Sequence, residues 1–379
     1  MMELYLHLPF CRQKCRYCDF ASWSGQEHRI PDYINQVIRE AQQHAQTLGV
    51  QAVDTVFVGG GTPSVLPPSM MTSLLEGVFR FFPPKPNAEF TIEANPGTLT
   101  REWLDAIRKL GCNRLSMGLQ AAQPQLLKTL GRIHTAEDAA VSARMAREAG
   151  FENLSLDLIF GIPGQTREMW RESLDFALAL SPEHLSCYGL IPEEGTPLNA
   201  DLDAGRLTLP DEEDERAMYD DALSILANAG YDQYEISNFA KPDRECRHNI
   251  GYWTREPYLG LGLAAASCFL ATGGGCIRET NPSNWEGYAF VVDKKAPREQ
   301  EIVSHEDAQF ETLMLGLRMT KGVDEKIYEA TFGESISVRY GSRLKSLQQR
   351  GLLEHEGGFW RLTRRGMDIQ NSVLVELME

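Results

Sequence analysis

The stretch Tyr5-Leu6-His7-Leu8-Pro9-Phe10-Cys11-Arg12-Gln13-Lys14-Cys15-Arg16-Tyr17-Cys18 joins an apolar, strand-like run to three cysteines at CxxxCxxC spacing. That spacing suits three thiolates that hold one metal cluster. A 4Fe–4S cluster held by three cysteines has one iron without a protein ligand, and this iron can bind and activate a small molecule. The sequence therefore predicts a 4Fe–4S cluster on Cys11, Cys15 and Cys18.

Two simpler interpretations of these cysteines stay open. The first is a structural zinc site, which needs a fourth ligand from a nearby histidine or aspartate. The second is three thiols without a metal. Structural zinc usually pairs two CxxC-like knuckles, and here the other cysteines stand singly, at Cys112, Cys187, Cys246, Cys268 and Cys276. The clustering thus favours the 4Fe–4S interpretation.

The composition is that of an acidic globular chain, with 379 residues, 42% of them hydrophobic, and a formal net charge of −16. No long apolar run or basic-then-apolar leader occurs, so we expect no membrane span, no signal peptide and a cytoplasmic location. Cysteines stay reduced there and are free to bind a cluster. The negative charge disfavours nucleic acid as a partner, because phosphate backbones are bound through local positive charge.

Short β-rich runs alternate with helical stretches in the first half of the chain. The predicted strands are Leu4–Pro9, Thr55–Val58, Glu89–Ala94, Arg114–Leu119, Leu154–Phe160 and His184–Ile191. Such alternation predicts a parallel α/β sheet, whose chemistry gathers at the carboxyl ends of the strands. Periodicity alone leaves a partial barrel and an open doubly wound sheet as alternatives.

Further motifs follow the cysteines in a fixed order. They are Gly59-Gly60-Gly61-Thr62-Pro63, Glu93-Ala94-Asn95-Pro96, Gly118-Leu119-Gln120, Arg132 and Asp157-Leu158-Ile159-Phe160-Gly161-Ile162-Pro163-Gly164. With the cysteines, this set resembles the radical SAM superfamily, and within it the oxygen-independent coproporphyrinogen III oxidase group. The resemblance implies a partial (β/α)6 barrel whose open iron binds S-adenosylmethionine (SAM).

The resemblance also implies a set of SAM-binding residues. They are Tyr5, Tyr17, Gly60, Gly61, Thr62, Glu93, Gln120, Arg132 and Asp157. Their chemistry suits the task, since glycines let the backbone approach a ligand and arginine can clamp a carboxylate. The glycine run is not a P-loop, because no Lys-Ser/Thr pair follows it and Pro63 prevents a helix from continuing there.

The remainder of the chain suggests two further regions. We place the barrel with its cluster in residues 1–200, an α+β extension in residues 201–300 and a winged-helix-like domain in residues 301–379. Residues 306–379 carry 10 Lys/Arg against 12 Asp/Glu, a net charge of −2, and lack the basic stripe of a DNA-binding wing. We therefore expect this domain to pack on the barrel.

Two features separate the chain from the oxidases of its group. Asp19 and Phe20 stand where the resemblance would place a fourth cysteine, and only ten residues precede Cys11 to cover a porphyrinogen. The motif His248-Asn249-Ile250-Gly251-Tyr252-Trp253 also resembles the HNxxYW haem-binding signature of haem chaperones in this family. By that resemblance His248, Asn249, Tyr252 and Trp253 bind haem, whereas the simpler interpretation of His248 is a hydrogen-bonded structural histidine.

These observations predict a haem chaperone that holds a SAM-coordinated 4Fe–4S cluster and passes haem to acceptor proteins such as respiratory enzymes. The alternatives are a radical SAM coproporphyrinogen III oxidase, or dehydrogenase, and a radical SAM enzyme that acts on another tetrapyrrole. The sequence assigns no catalytic residue and leaves a homodimer open.

Overall fold

The computed structural model of the protein describes residues 2–378. Its strands are β1 (Glu3–Leu8), β2 (Phe10–Cys11), β3 (Trp23–Ser24), β4 (Val53–Gly60), β5 (Pro84–Ala94), β6 (Arg114–Gln120), β7 (Leu154–Phe160), β8 (His184–Gly189), β9 (Asp232–Gln233), β10 (Asn238–Ala240), β11 (Tyr258–Leu261), β12 (Ala266–Leu270), β13 (Cys276–Thr280), β14 (Glu299–Val303), β15 (Val323–Asp324), β16 (Leu353–Glu356) and β17 (Phe359–Leu362).

The α-helices are α1 (Ile30–Leu48), α2 (Pro68–Phe79), α3 (Arg101–Lys109), α4 (Pro124–Leu130), α5 (Ala136–Glu148), α6 (Arg167–Ala179), α7 (Pro197–Asp203), α8 (Glu212–Asn228), α9 (Arg247–Trp253), α10 (Trp285–Val292), α11 (His305–Gly316), α12 (Glu325–Phe332), α13 (Ile336–Gln349), α14 (Arg364–Asp368) and α15 (Gln370–Met378). Short 3-10 helices span Glu27–Arg29 and Pro63–Val65. Within residues 2–378, no helix combines the length and apolar character needed to cross a membrane.

The six predicted strands form the parallel centre of the largest sheet, in the order β1-β4-β5-β6-β7-β8. Alternate side chains of these strands, such as Leu4, Val56 and Ile92, are fully buried in the main core beneath the helices. The opposite face carries polar side chains such as Thr91 and Asp157. The period of two therefore separates an apolar outer layer from a polar barrel interior.

The region after residue 200 adds strands to both edges of this sheet. β11 pairs in parallel with β1, and β12, β13 and β14 continue from it as antiparallel strands. At the other edge β10 pairs antiparallel with β8. Twelve strands thus form one continuous sheet. Strands from both sides of the boundary predicted at residue 200 belong to this sheet.

The carboxyl-terminal region has a separate hydrophobic core. Leu313, Tyr328, Ile336, Leu344 and Trp360 are among its buried members. Helices α11, α12 and α13 precede the β16–β17 hairpin, which turns at two glycines with positive φ and pairs with β15. Three helices followed by a hairpin are the arrangement expected of a winged-helix-like domain.

A buried carboxylate joins α1 to the sheet extension. Glu40 is fully buried and accepts hydrogen bonds from Gly262 N (2.8 Å), Asn281 Nδ2 (2.7 Å), Tyr288 OH (2.8 Å) and Arg298 Nη2 (3.1 Å). Burial raises the pKa of Glu40, while Arg298 and these donors oppose the rise. A paired and fully bonded carboxylate of this kind fixes the extension against the first barrel helix.

A second buried carboxylate lies at the amino-terminal end of the barrel. Glu3 begins β1, is fully buried and contacts Gly251 of α9 so closely that a Cβ at Gly251 would overlap its carboxylate. Burial, followed by the negative charges of Glu256 and Glu89, raises the pKa of Glu3 to about 9. The folded protein therefore keeps Glu3 protonated at neutral pH.

This protonation makes stability pH-dependent. Above its ordinary pKa the unfolded chain ionises Glu3 while the folded chain does not, so Glu3 costs stability increasingly as pH rises from about 5 to about 9. Relative to wild type, we expect the free energy of unfolding of Glu3→Gln to be higher at pH 8 than at pH 5 by on the order of 3 kcal/mol. Urea unfolding of both proteins at the two pH values measures this difference.

The exposed carboxylate Glu148 offers a matched control, because Glu148→Gln should leave the pH dependence of unfolding unchanged. If the free energy of unfolding depended on pH in the same way in both variants, Glu3 would not be protonated in the folded state.

Candidate functional site

The three predicted cluster cysteines share one cavity of about 370 Å3 at the carboxyl end of β1. Cys11 ends β2, and Cys15 and Cys18 follow in the loop. Thr62 Oγ1 donates to Cys11 Sγ at 3.6 Å. Among residues 2–378, no three His, Cys, Asp or Glu side chains are placed to hold a single metal ion. The three cysteines that the sequence assigns to a cluster thus face one common space.

The other five cysteines do not approach this cavity. All five are buried, whereas Cys15 and Cys18 are half-buried. Burial raises the pKa of Cys112 and of Cys246 to about 12, so these thiols stay protonated at neutral pH. Burial also raises the pKa of Cys15 and of Cys18, so what distinguishes the three loop cysteines from the other five is that they line the cavity.

The glycine loop after β4 forms one wall of the cavity. Gly60 has a φ of +104°, and a Cβ there would lie 2.5 Å from the His7 ring. A Cβ at Gly61 would lie 2.6 Å from the carbonyl oxygen of Phe10. Glycine is therefore required at both positions, and the bare backbone lines the cavity.

Two half-buried carboxyl groups line the same cavity from β5 and β7, the strands on either side of β6. Glu93 of β5 accepts from Gly60 N at 3.2 Å, and Asp157 of β7 lies 3.5 Å from Ser116 Oγ. Burial, with the charge of Asp157, raises the pKa of Glu93 to about 7. Burial also raises the pKa of Asp157, opposed by hydrogen bonding to Ser186. The two carboxyl groups thus offer oxygen atoms that can accept hydrogen bonds from a ligand in the cavity.

A hydrogen-bonded network connects the remaining predicted residues. Arg132 donates to Tyr17 OH at 2.6 Å and to Asn95 Oδ1 at 2.8 Å, and Asn95 Nδ2 donates to Thr62 Oγ1 at 2.8 Å. The Nε of Arg132 is buried without a hydrogen-bond partner. An unpaired buried donor is costly, so this atom fits an acceptor that arrives with a ligand, such as a carboxylate.

Gln120 reaches the cavity through a strand irregularity. It has a φ of +66° where the register between β6 and β7 shifts. A Cβ at Gly118 would lie 2.5 Å from Gln120 Nε2 and 3.2 Å from Arg132 Nη2. Gly118 thus makes room for both side chains.

The structure places Tyr5 differently from its predicted role. Tyr5 is not among the side chains that line the cavity; its hydroxyl lies 3.0 Å from His7 Nδ1, and His7 Nε2 lies 2.8 Å from the carbonyl oxygen of Ala21. Tyr5 thus lies outside the cavity lining and is linked through His7 to the loop after the third cysteine. Conversely, Asn95 lines the cavity although it was not predicted as a site residue; the Glu93–Pro96 motif that contains it is the signal that could have indicated it.

The HNxxYW motif lies at the opposite end of the barrel. It forms α9, whose first backbone N–H groups, those of Arg247 and His248, donate to the Glu89 carboxylate at 2.9 and 3.1 Å. Glu89 of β5 is paired across the sheet with Thr55 of β4, and Thr55 is paired in turn with Glu3 at the start of β1. The motif thus closes the amino-terminal end of the barrel, while the cysteines lie at its carboxyl-terminal end.

Both ring nitrogens of His248 are hydrogen-bonded within this closure. Nδ1 lies 2.7 Å from Thr55 Oγ1 and Nε2 lies 3.0 Å from Tyr252 OH, while the ring stacks on Phe57 at 5.2 Å. Only 1% of His248 is exposed, and burial lowers its pKa to about 3. Neither nitrogen is free for haem iron in this conformation, so ligation by His248 would require one of these bonds to break.

The other residues of the motif also have local roles. Asn249 is half-buried on α9, and Tyr252 makes an edge contact with Tyr258 at 4.9 Å. Arg318 of the carboxyl-terminal region lies 4.4 Å over the Trp253 ring. The motif therefore connects the barrel end to the regions that follow it.

Comparisons with known proteins agree with this geometry. The chain matches the family model of the radical SAM superfamily over residues 5–177 and that of the HemN C-terminal domain over residues 303–369. It is 37% identical over 376 residues to Heme chaperone HemW of Bacillus subtilis, covering 98% of each chain. It is 32% identical over 375 residues to Heme chaperone HemW of Escherichia coli, covering 98% of this chain and 97% of that protein.

A solved structure extends the comparison to the fold. Coproporphyrinogen III oxidase (HemN) from Escherichia coli matches with a TM-score of 0.84 at 23% identity, covering 99% of this chain and 89% of the other. This match confirms the predicted fold class of a radical SAM barrel with a further carboxyl-terminal domain. Together with the full-length similarity to the curated relatives, it shows that the chain belongs to the HemW family of the radical SAM superfamily.

Proposed function

We propose that this chain is a cytoplasmic haem chaperone, which binds haem and passes it to acceptor proteins such as respiratory haem enzymes. The observation that carries the proposal is the full-length similarity to relatives named heme chaperones, at 37% identity for the Bacillus subtilis protein. Membership of the radical SAM superfamily implies a 4Fe–4S cluster and SAM in addition.

Cys11, Cys15 and Cys18 would hold the cluster, because they share one cavity with the predicted SAM-binding residues other than Tyr5. Thr62, through its hydrogen bond to Cys11, and the Arg132 network orient the loop that carries them. When bound and reduced, the cluster supplies SAM with one electron. The half-buried Cys15 and Cys18 would leave the ligand side of the site open to the cavity.

The cavity walls would hold SAM by its charged groups. Glu93 and Asp157 present carboxylates to cationic or hydroxyl groups, and Arg132 offers its unpaired Nε to a carboxylate. Gly60 and Gly61 bring backbone atoms against the ligand without side-chain interference. Glu93 accepts from Gly60 N, and Arg132 is fixed by Tyr17 and Asn95, so these contacts would be largely in place before SAM binds.

A coproporphyrinogen III oxidase is the second candidate function, because most of the residues predicted to hold the cluster and SAM line one cavity. Phe20 disfavours the oxidase function, because it occupies the position at which a fourth cysteine is expected. Its side chain lines the cavity and is 62% exposed. Anaerobic incubation with coproporphyrinogen III, SAM and a reductant separates the two candidates, since the chaperone should yield no decarboxylated product.

We expect the Cys11→Ala, Cys15→Ala, Cys18→Ala triple variant to lose the brown chromophore of the anaerobically reconstituted protein. The reason is that three thiolates within one cavity are the predicted iron ligands. Iron and sulfide analysis with the visible spectrum measures the loss. Single alanine variants at the five other cysteines provide controls and should keep the chromophore; a triple variant that retains the cluster would refute the assignment.

We expect SAM to bind about severalfold more tightly at pH 8 than at pH 6, because Glu93 ionises through its raised pKa of about 7 and attracts cationic groups. In Glu93→Gln this pH dependence should be reduced. Equilibrium dialysis with labelled SAM at both pH values gives the two affinities. If the SAM affinity of Glu93→Gln changed between pH 6 and pH 8 as much as that of wild type, another group would set the pH dependence.

We expect saturable haem binding near one haem per chain, followed by transfer to the apo form of a haem enzyme. The Soret band follows the anaerobic titration, and recovered acceptor activity reports transfer. Chain without added haem serves as the control for transfer. Absence of saturable binding together with consumption of coproporphyrinogen III would overturn the proposal in favour of the oxidase.

A further inference from the structure

Helix α9 carries the predicted haem-binding motif, yet it is docked on the amino-terminal end of the barrel with His248 inside. Only 1% of His248 is exposed, and its ring nitrogens are hydrogen-bonded to Thr55 Oγ1 at 2.7 Å and to Tyr252 OH at 3.0 Å. Haem iron ligated by histidine needs a ring nitrogen and an approach to it. The docked position of α9 and a haem bound through His248 therefore exclude each other.

The first turn of α9 is held by two strands of the barrel. The Glu89 carboxylate of β5 accepts from the first two backbone N–H groups of the helix, at 2.9 and 3.1 Å. Thr55 of β4 bonds to His248 Nδ1, and the His248 ring stacks on Phe57 of the same strand at 5.2 Å. Since Tyr252 belongs to α9 itself, the bond to Thr55 is the one that undocking of the helix would break.

The carboxyl-terminal end of α9 is held from the other side. Arg255, two residues past the helix, donates to Glu311 Oε2 at 2.9 Å and to the carbonyl oxygen of Gly274 at 3.2 Å. Arg318 lies 4.4 Å over the Trp253 ring. The helix is thus fixed at both ends by side chains and carbonyl groups that lie outside it.

Two residues that flank α9 have the backbone geometry expected of hinges. Asp243 has a φ of +62° and Arg255 a φ of +57°, and residues 2–378 contain six non-glycine residues with positive φ. Aspartate tolerates this conformation, whereas for arginine it is uncommon and costs free energy. Hinges are a few residues at the ends of an element that absorb changes in φ and ψ. The segment 243–255 can therefore leave the barrel through changes at its two ends.

We infer that the docking of α9 is autoinhibitory, so that haem is ligated by His248 only after the segment 243–255 has moved away from the barrel. The inference rests on the proposed haem-chaperone function and adds how its haem site is controlled. Because only undocked molecules bind, the apparent dissociation constant equals the intrinsic constant divided by the undocked fraction. A change that weakens docking must therefore tighten haem binding.

Thr55→Val tests this consequence, because valine keeps the shape of threonine and removes the hydroxyl that bonds to His248. The full-length, cluster-reconstituted protein is titrated anaerobically with ferric haem and followed at the Soret band. We expect Thr55→Val to bind haem about severalfold more tightly than wild type. Ser155→Ala is the matched control: Ser155 Oγ lies 2.8 Å from Nδ1 of the buried His184, away from α9, and its loss should leave haem affinity unchanged.

Hydrogen exchange of the wild type supplies a test that needs no variant. A ligand that binds the native conformation stabilises it and slows exchange. Undocking instead takes the N–H groups of Arg247 and His248 away from the Glu89 carboxylate. We expect haem to speed the exchange of these two amides at least about severalfold, while the amides of β6 stay protected. Mass spectrometry of the peptide that spans residues 244–254 measures the change.

The outcomes separate this inference from the proposed function. Saturable haem binding by wild type, with equal or weaker binding by Thr55→Val, would overturn the autoinhibitory docking and leave the chaperone proposal standing. Slower exchange of the two amides on addition of haem would do the same. No saturable binding by wild type would overturn both. If circular dichroism shows that Thr55→Val does not fold, the exchange measurement on wild type decides.

Discussion

The structure depends on closing a polar barrel interior that the parallel strands leave open. The carboxylate of Glu89 accomplishes this at the amino-terminal end, because it accepts the free N–H groups at the start of α9. An anion at a helix amino terminus satisfies donors that have no partner within the helix and interacts favourably with the helix dipole. With that end held by α9, the interior opens to ligands from the carboxyl-terminal end, where the cysteine loop lies.

The two ends of the barrel consequently carry different chemistry. At the carboxyl ends the side chains are held by short networks that keep unpaired groups, such as Arg132 Nε, facing a cavity. At the amino ends the polar groups of Thr55, His248 and Tyr252 bond to one another. The unpaired Arg132 Nε thus faces a space that a ligand can enter, whereas Thr55, His248 and Tyr252 satisfy one another.

Local patterns predicted the parallel strands and the cluster loop, because both depend on residues that are close in sequence. The strand β7 was predicted with its observed bounds, and the cysteines lie together as their spacing required. Pairing of β11 with β1 joins segments about 250 residues apart and has no local signature. The same holds for His248. The resemblance of its motif suggested a haem ligand, but its partners in the structure are Thr55 and Tyr252, and Thr55 lies on a strand distant in sequence.

The distribution of thiols has a consequence for chemical labelling. Of the eight cysteines, only Cys15 and Cys18 are half-buried, whereas Cys11 and the five outside the loop are buried. Alkylating reagents attack accessible thiolates, and burial keeps thiols such as Cys112 and Cys246 protonated. In folded protein without a cluster, a brief pulse of iodoacetamide followed by peptide mass spectrometry would therefore mark the 11–18 segment selectively. Resistance to the same pulse would report the fraction of molecules in which iron occupies the thiols.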